Sequence, residues 1–320
     1  MDIAEVSFAS PYFQLEQVAE GVYAAIVRGG TGAWGNAGIV DLGDETLVFD
    51  TFFTPPAAQS LREAAETLTG RSPAYVINSH FHADHVFGNQ VFDDAIIVST
   101  TRTYELMSEQ LPAMLEEVRV HPPSQEEVVG DRQDPRLRRD RAMLAADYRA
   151  MEVALPTLRL RLPDLTFERR LVFHGARYTA ELLTFGGGHT PSDAILYLPS
   201  IATAFTADIV QVDFHPSTNI ANPDEWLTIL EQVDKLGLQH VIPGHGPVGR
   251  GEHVRIMRQY LVDLRQLVTQ ARLDSPTTDY LSTIQEPEKY RTWSAAPFFP
   301  QNLSNMDRWY AHRQERGKAE

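Results

Sequence analysis

Six residues, His80-Phe81-His82-Ala83-Asp84-His85, carry three imidazoles and a carboxylate directly after the apolar, strand-like run Ala74-Tyr75-Val76-Ile77-Asn78. So dense a set of lone pairs constrains the chain more than any other feature, because such groups repel one another unless a cation is shared among them. His80 and His82 stand two apart, so in extended backbone they point to one side, and Asp84 and His85 follow where the chain turns. One loop can therefore serve two metal ions. Neutral imidazole and carboxylate suit zinc and related divalent metals, and the chain has no cysteine to offer a thiolate.

Partners for the hexamer follow downstream, each on its own turn. Gly186-Gly187-Gly188-His189-Thr190 comes after the alternating run Tyr178 to Phe185, which places His189 where a strand ends. Thr206-Ala207-Asp208 closes the apolar run Ile201 to Phe205, and Pro243-Gly244-His245-Gly246 closes Val241-Ile242. Metal sites are commonly built from loops at one rim of a rigid sheet, and these strand ends fit that plan.

His80-x-His82-x-Asp84-His85, then His189, Asp208 and His245, in that order, resemble the signature of the metallo-β-lactamase fold superfamily over roughly Gly21 to Val248. The resemblance implies an α+β, four-layer αββα sandwich. It also implies that His80, His82 and His189 hold one metal, that Asp84, His85 and His245 hold the other, and that Asp208 bridges them. Asp50, ending the run Thr46 to Phe49, matches a family position that supports the histidine loop, and a strand-end cap is an equal alternative. Two small departures stand out: Ala207 where the family often has glycine before the bridging Asp, and Ser192 in place of a frequent glycine. Neither is expected to matter. About a hundred residues separate His85 from His189, more than compact relatives need, so a helical insertion is expected between the second and third metal motifs.

The 320 residues, 43% hydrophobic, suffice for one large core, so residues 1–320 are read as a single domain with a helical insertion over 101–155 and a helical C-terminal extension over 251–320. Within the insertion, Leu106, Met107, Leu111, Met114 and Leu115, then Met143, Leu144, Tyr148, Met151 and Val153, recur at helical intervals. Between them Ser124 and Glu127 read as a capping box. The charged stretch Asp131 to Arg141 reads as a solvated face or loop. Pro55-Pro56 opens a helix through Leu68, and Glu252 to Leu273 carries one apolar stripe. The tail beyond Ser275, with Trp293, Phe298, Phe299 and Trp309, is too apolar for a disordered end, and it docks either on its own domain or on a second subunit, which would make a homodimer.

Three residues are candidate substrate contacts. Trp34 sits in the glycine-rich loop Gly29 to Asn36, read as a mobile element suited to closing over a ligand, with packing on its own hairpin as the alternative. Phe214 and His215 follow Asp208, where relatives place substrate-contacting side chains. Phe52, Phe53, Phe81 and Phe87 read as core.

The expected cofactors are two divalent metal ions, zinc first, with iron, manganese, cobalt or nickel as alternatives. Between two such ions water loses a proton near neutral pH, and Asp84 is the candidate catalytic residue that would orient the resulting hydroxide and shuttle a proton. The expected activity is hydrolysis of a small-molecule ester, lactone, thioester or lactam, with esterase or lactonase chemistry foremost. Lactam cleavage is the weaker expectation, since Asp208 stands where penicillin-cleaving relatives carry Cys or Ser. The alternative activity is an iron-dependent oxidoreductase resembling persulfide dioxygenases. A net charge of −15 argues against nucleic acid or an anionic membrane as partner. Met1 to Phe13 lacks the basic-then-apolar pattern of a signal peptide, so a cytoplasmic location is expected.

Overall fold

The computed structural model describes residues 4–5, 8–120, 134–274 and 280–316. The first half of the chain builds one sheet, from β1 (Ala4–Glu5), β2 (Phe13–Ala19), β3 (Val22–Val27), β4 (Ala37–Asp41), β5 (Thr46–Phe49), β6 (Tyr75–Ile77), β7 (Ile96–Thr100) and β8 (Leu165–Phe167), paired in sequence order. Pairing is antiparallel through β5 and parallel from β5 to β8. Parallel neighbours need crossover connections, which the chain supplies as helices. Helix α1 (Pro55–Thr69) links β5 to β6, and the short α2 (Ala83–Val86) lies between β6 and β7. Helices α3 (Thr101–Val120) and α4 (Pro135–Ala154) together form the crossover from β7 to β8. Prolines at the first helical positions and Gly70 at φ 71° define the ends of α1.

The second half builds the other sheet, β9 (Arg170–His174), β10 (Thr179–Thr184), β11 (Ala194–Leu198), β12 (Thr203–Ala207) and β13 (His240–Pro243). Only β12 and β13 pair in parallel, and α5 (Pro223–Asp234) makes that crossover. Helices α6 (Gly251–Asp274) and α7 (Phe298–Arg316) complete the chain.

The two sheets pack face to face through Val22, Val40, Leu47, Phe49 and Ile77 on one side and Leu182, Leu196, Phe205 and Ile242 on the other. Ala57, Leu61 and Ala64 of α1 cover the outer face of the first sheet against Ile39, Val48 and Val76. Trp226, Ile229 and Val233 of α5 and Met257, Tyr260 and Leu264 of α6 cover the second sheet. These are the four layers αββα. Trp293, Phe299, Leu303 and Met306 join that last cluster, so the apolar tail docks on its own domain. Among the described residues no helix is long and apolar enough to cross a membrane.

Leu106, Met107, Leu111, Leu115 and Met151 of the α3/α4 crossover bury themselves against Phe53, Phe81 and Phe87, while Phe52 lies in the α1 cluster, so all four phenylalanines are core. Val153 departs from the expected stripe and is 83% exposed. The Ser124–Glu127 capping motif lies outside the described residues. The charged stretch is not a loop from Asp134 onward. Asp134 caps α4 by accepting from the Arg136 amide at 2.8 Å, and Asp140 is buried.

Gly38 of β4 lies tight against the other sheet, since a Cβ there would stand 1.9 Å from Cε1 of buried Phe205. Gly38→Ala should therefore destabilise the fold by about 1–3 kcal/mol through overpacking. Thermal melts of the two proteins check this, and an unchanged midpoint would contradict the tight seam.

Candidate metal centre

Every part of the histidine- and aspartate-rich sequence falls at one rim of the sandwich. Asn78 and Ser79 carry the chain out of β6 to His80; His82 occupies the cap position of α2, whose single turn bears Asp84 and His85. His189 follows β10, Asp208 follows β12, and His245 follows β13. The ligand atoms of His80, His82, His189 and Asp208 lie within 4.8 Å of one another, as do those of Asp84, His85 and His245. Asp208 joins the two groups. Its Oδ1 is 3.3 Å from His85 Nε2, and its Oδ2 is 3.4 Å from His189 Nε2 and 3.5 Å from His245 Nε2. Asp84 Oδ2 stands 3.4 Å from both His85 Nε2 and His245 Nε2. His82 and Asp84 are half-buried, whereas the other five are buried, so these two face the open side.

The hydrogen bonds behind the rim decide which nitrogens face inward. Buried Asp50, at φ 58°, accepts from the Ser79 amide and the Ser79 hydroxyl, each at 2.8 Å, and its Oδ2 lies 2.8 Å from His85 Nδ1. Because the Ser79 hydroxyl donates to Asp50, it accepts from His80 Nδ1 at 2.9 Å. His80 and His85 thus each carry a proton on Nδ1 and turn Nε2 toward the carboxylates. Ring nitrogens facing carboxylate oxygens at 3.3–4.0 Å repel them unless a proton or a metal cation lies between. His80 Nε2, His85 Nε2 and Asp208 Oδ1 are buried without a hydrogen-bond partner. The donor set, all imidazole and carboxylate, therefore fits divalent metal ions.

The charges tell the same story. Burial, reinforced by His85 and His82, holds His80 well below the usual histidine range, and burial brings His189 down to about 3. Burial acts the same way on His85 and His245, but Asp84 and Asp208 overcome it, raising His85 well above its usual value and His245 to about 9. Against burial, His85 and His245 hold Asp84 well below the carboxylate range, and His245 and His189 lead in doing the same for Asp208. The pocket is thus built for positive charge at its centre.

Of the expected substrate contacts, the structure places two beside the centre and removes the third. Phe214 stacks on His245, with ring centroids 4.8 Å apart and planes at 16°. Trp34 packs edge-on against Phe53 at 5.0 Å and Tyr148 at 5.3 Å. Both line a cavity of about 110 Å³ that His245 and Gly246 border. His215 does not reach it. The backbone bridge between Phe214 and Ser294 turns successive side chains to opposite sides, and His215 lies buried with Nδ1 2.9 Å from the Tyr260 hydroxyl and Nε2 2.9 Å from Glu286 Oε1.

The loop bearing Trp34 is also not the free element expected from its glycines. Asp147 of α4 accepts from the amides of Gly30 at 3.1 Å and Gly32 at 2.7 Å. Asn36 binds the far side, donating to the carbonyls of Pro243 and Gly246 at 3.0 and 2.8 Å. Burial pushes Asp147 up to about 6, with the Gly32 and Gly30 amides opposing it. The folded chain therefore holds this proton more tightly than the unfolded chain. Its stabilising contribution is complete below the ordinary value of 3.8 and is lost as pH rises through about 6. Asp147→Asn should flatten that decline: between pH 4 and 7 the melting temperature of metal-free protein should fall a few degrees further in the parent than in the variant. Parallel curves would contradict the assignment.

Sequence reasoning missed several supporting residues. Asp193 accepts from the Gly188 and Thr190 amides and from the Thr190 hydroxyl, fixing the His189 turn, and burial raises it to about 7. Thr190-Pro191-Ser192-Asp193 is a turn signal that could have revealed it. Asn36 had no such signal. The two departures from the family pattern also have consequences. Ala207 sits at φ 44°, a left-handed conformation costing roughly 1–2 kcal/mol. Ser192 Oγ lies 2.6 Å from Thr100 Oγ1, a bond glycine could not make.

A profile of the metallo-beta-lactamase superfamily matches residues 31–276. No curated protein sequence matches the chain significantly. Among solved structures, a metallo-beta-lactamase from Hirschia baltica is similar at TM-score 0.56 and 14% identity, covering 82% of this chain and 98% of its own. One from Pontibacter korlensis gives 0.55 and 16%, covering 82% and 100%. FIM-1 from Pseudomonas aeruginosa, in a mono-zinc form, gives 0.56 and 13%, covering 82% and 96%.

Proposed function

Because this chain belongs to the metallo-β-lactamase superfamily, we propose that it is a metal-dependent hydrolase of a small-molecule carboxylic ester or lactone. The observation that carries the reading is the convergence of seven imidazole and carboxylate groups at an accessible rim, with His80 Nε2, His85 Nε2 and Asp208 Oδ1 buried there without a hydrogen-bond partner. His80, His82 and His189 would hold one divalent ion and Asp84, His85 and His245 the other, with Asp208 common to both. When bound, the ions supply Lewis acidity and make water acidic enough to attack near neutral pH.

The protein's own groups do the rest. Asp50, directly and through Ser79, keeps His85 and His80 in the tautomer that leaves Nε2 free. Asp84, half-buried at the open side, takes a proton from the attacking water. The water oxygen bonds to the acyl carbon, the acyl–oxygen bond breaks, and Asp84 returns the proton to the departing oxygen. Phe214, flat against His245, screens one side of that exchange from solvent.

A screen of zinc-, iron- and manganese-loaded protein against lactones, aryl esters, thioesters, phosphotriesters and nitrocefin tests the reading. Turnover of an ester or lactone, lost on chelation, is the expected result. Sulfur-dependent oxygen uptake with one iron per chain, and no hydrolysis, would replace it with the oxidoreductase alternative.

A further inference from the structure

The cavity beside His245 has a composition that selects among substrates. Its walls are Trp34, Met143, Leu144, Phe214, Pro297 and Phe298, drawn from the Gly29–Asn36 loop, α4, the stretch after β12 and the segment entering α7. Among the described residues lining it none is lysine or arginine, and the only acidic ones are Asp140 and Asp147. Both acids are committed to the protein. Asp140 accepts from the Ala296 amide at 3.0 Å and pairs with Arg139 at 2.9 Å, while Asp147 holds the Gly30 and Gly32 amides. These contacts fix two opposite walls to the same helix, so the cavity is shaped before a ligand arrives. Away from His245, an anionic group on the arm of a ligand would meet apolar surface and two carboxylates, with no lysine or arginine among the lining residues to compensate its lost hydration.

Resting on the hydrolase reading above, we propose that the substrate is uncharged and carries an apolar acyl arm, which lies between Met143, Leu144 and Phe298 while the scissile group sits at His245. Substrates bearing a carboxylate on that arm are excluded by the same walls.

The test uses matched pairs. Metal-loaded protein is assayed on nitrophenyl acetate, butanoate and hexanoate and on the mono-nitrophenyl ester of adipic acid, which differs from the hexanoate by a terminal carboxylate. Full burial raises kcat/KM about fourfold per methylene. The expected result is a rise of at least about tenfold from acetate to hexanoate and a fall of at least about tenfold from hexanoate to the adipate half-ester. Met143→Arg, which places a cation among the walls, should narrow that last gap about tenfold. Calorimetric titration of metal-free protein gives a readout independent of turnover: 2-octanone should bind, and 7-oxooctanoate, its carboxylate counterpart, should not. Equal cleavage across the chain-length series, adipate half-ester cleaved as well as hexanoate, or 7-oxooctanoate binding as tightly as 2-octanone would overturn the inference. Should no ester or lactone be cleaved at all, the hydrolase reading fails separately, and the two ketones still decide what the cavity accepts.

Discussion

Replacing Asp208 with alanine is expected to lower turnover by roughly a thousandfold or more and to strip metal from both groups in the same preparation. This single carboxylate faces His85 with one oxygen and His189 and His245 with the other, at 3.3–3.5 Å, so its loss removes a side chain that contacts both sets. Several kcal/mol of transition-state stabilisation depend on such ions, and each 1.36 kcal/mol corresponds to about tenfold in rate. His82→Ala separates the two sets, because His82 belongs only with His80, His189 and Asp208. Metal content should then fall by about one ion per chain rather than two. Elemental analysis on the samples used for kinetics checks both expectations. An Asp208→Ala protein with full metal content and full activity would contradict the arrangement.

Asp50→Ala should produce the next largest effect without touching a ligand. Three buried donors converge on this carboxylate: the Ser79 amide, the Ser79 hydroxyl and the His85 ring. Removing an outer partner of a metal-bound histidine costs about 10–100-fold in metal affinity. Each stranded buried donor adds about 1–3 kcal/mol of lost stability, less than additively. Alanine also suits φ 58° poorly. Asp50→Asn should recover part of both losses, because asparagine tolerates that conformation and keeps one acceptor. Competition with a chromophoric chelator measures the affinity, and thermal melts measure the stability. Equal behaviour of the alanine and asparagine variants would show that neither the retained acceptor nor tolerance of that conformation gives Asp50 its role.

The centre was legible because its residues lie at strand ends. Periodicity locates a strand end well, and a histidine or aspartate placed there has few other uses. The αββα class came from the family resemblance that those motifs carry, and α1 and α6 were readable from prolines, caps and one apolar stripe. What escaped the sequence was anything set by contacts between distant segments. His215 stands next to Phe214, yet local backbone pairing sends the two rings to opposite sides, one to His245 and the other to Tyr260. The glycines of the Trp34 loop suggest freedom, but Asp147, more than a hundred residues later, removes it. Ala207 reads as a minor exchange until its φ is known. Asp140 looked like one more charge in a solvated run and is instead a buried anchor for Ala296.

The order of strands has a consequence for how the protein comes into being. The first sheet is complete by Phe167 and the second begins at Arg170, so the ribosome delivers one half as a finished unit before the other starts. Each ligand group nevertheless draws on both halves: His80 and His82 wait for His189 and Asp208, and Asp84 and His85 wait for His245. A nascent chain arrested before residue 245 therefore lacks part of the second ligand group, and both groups are complete only once residues of the second half have been made.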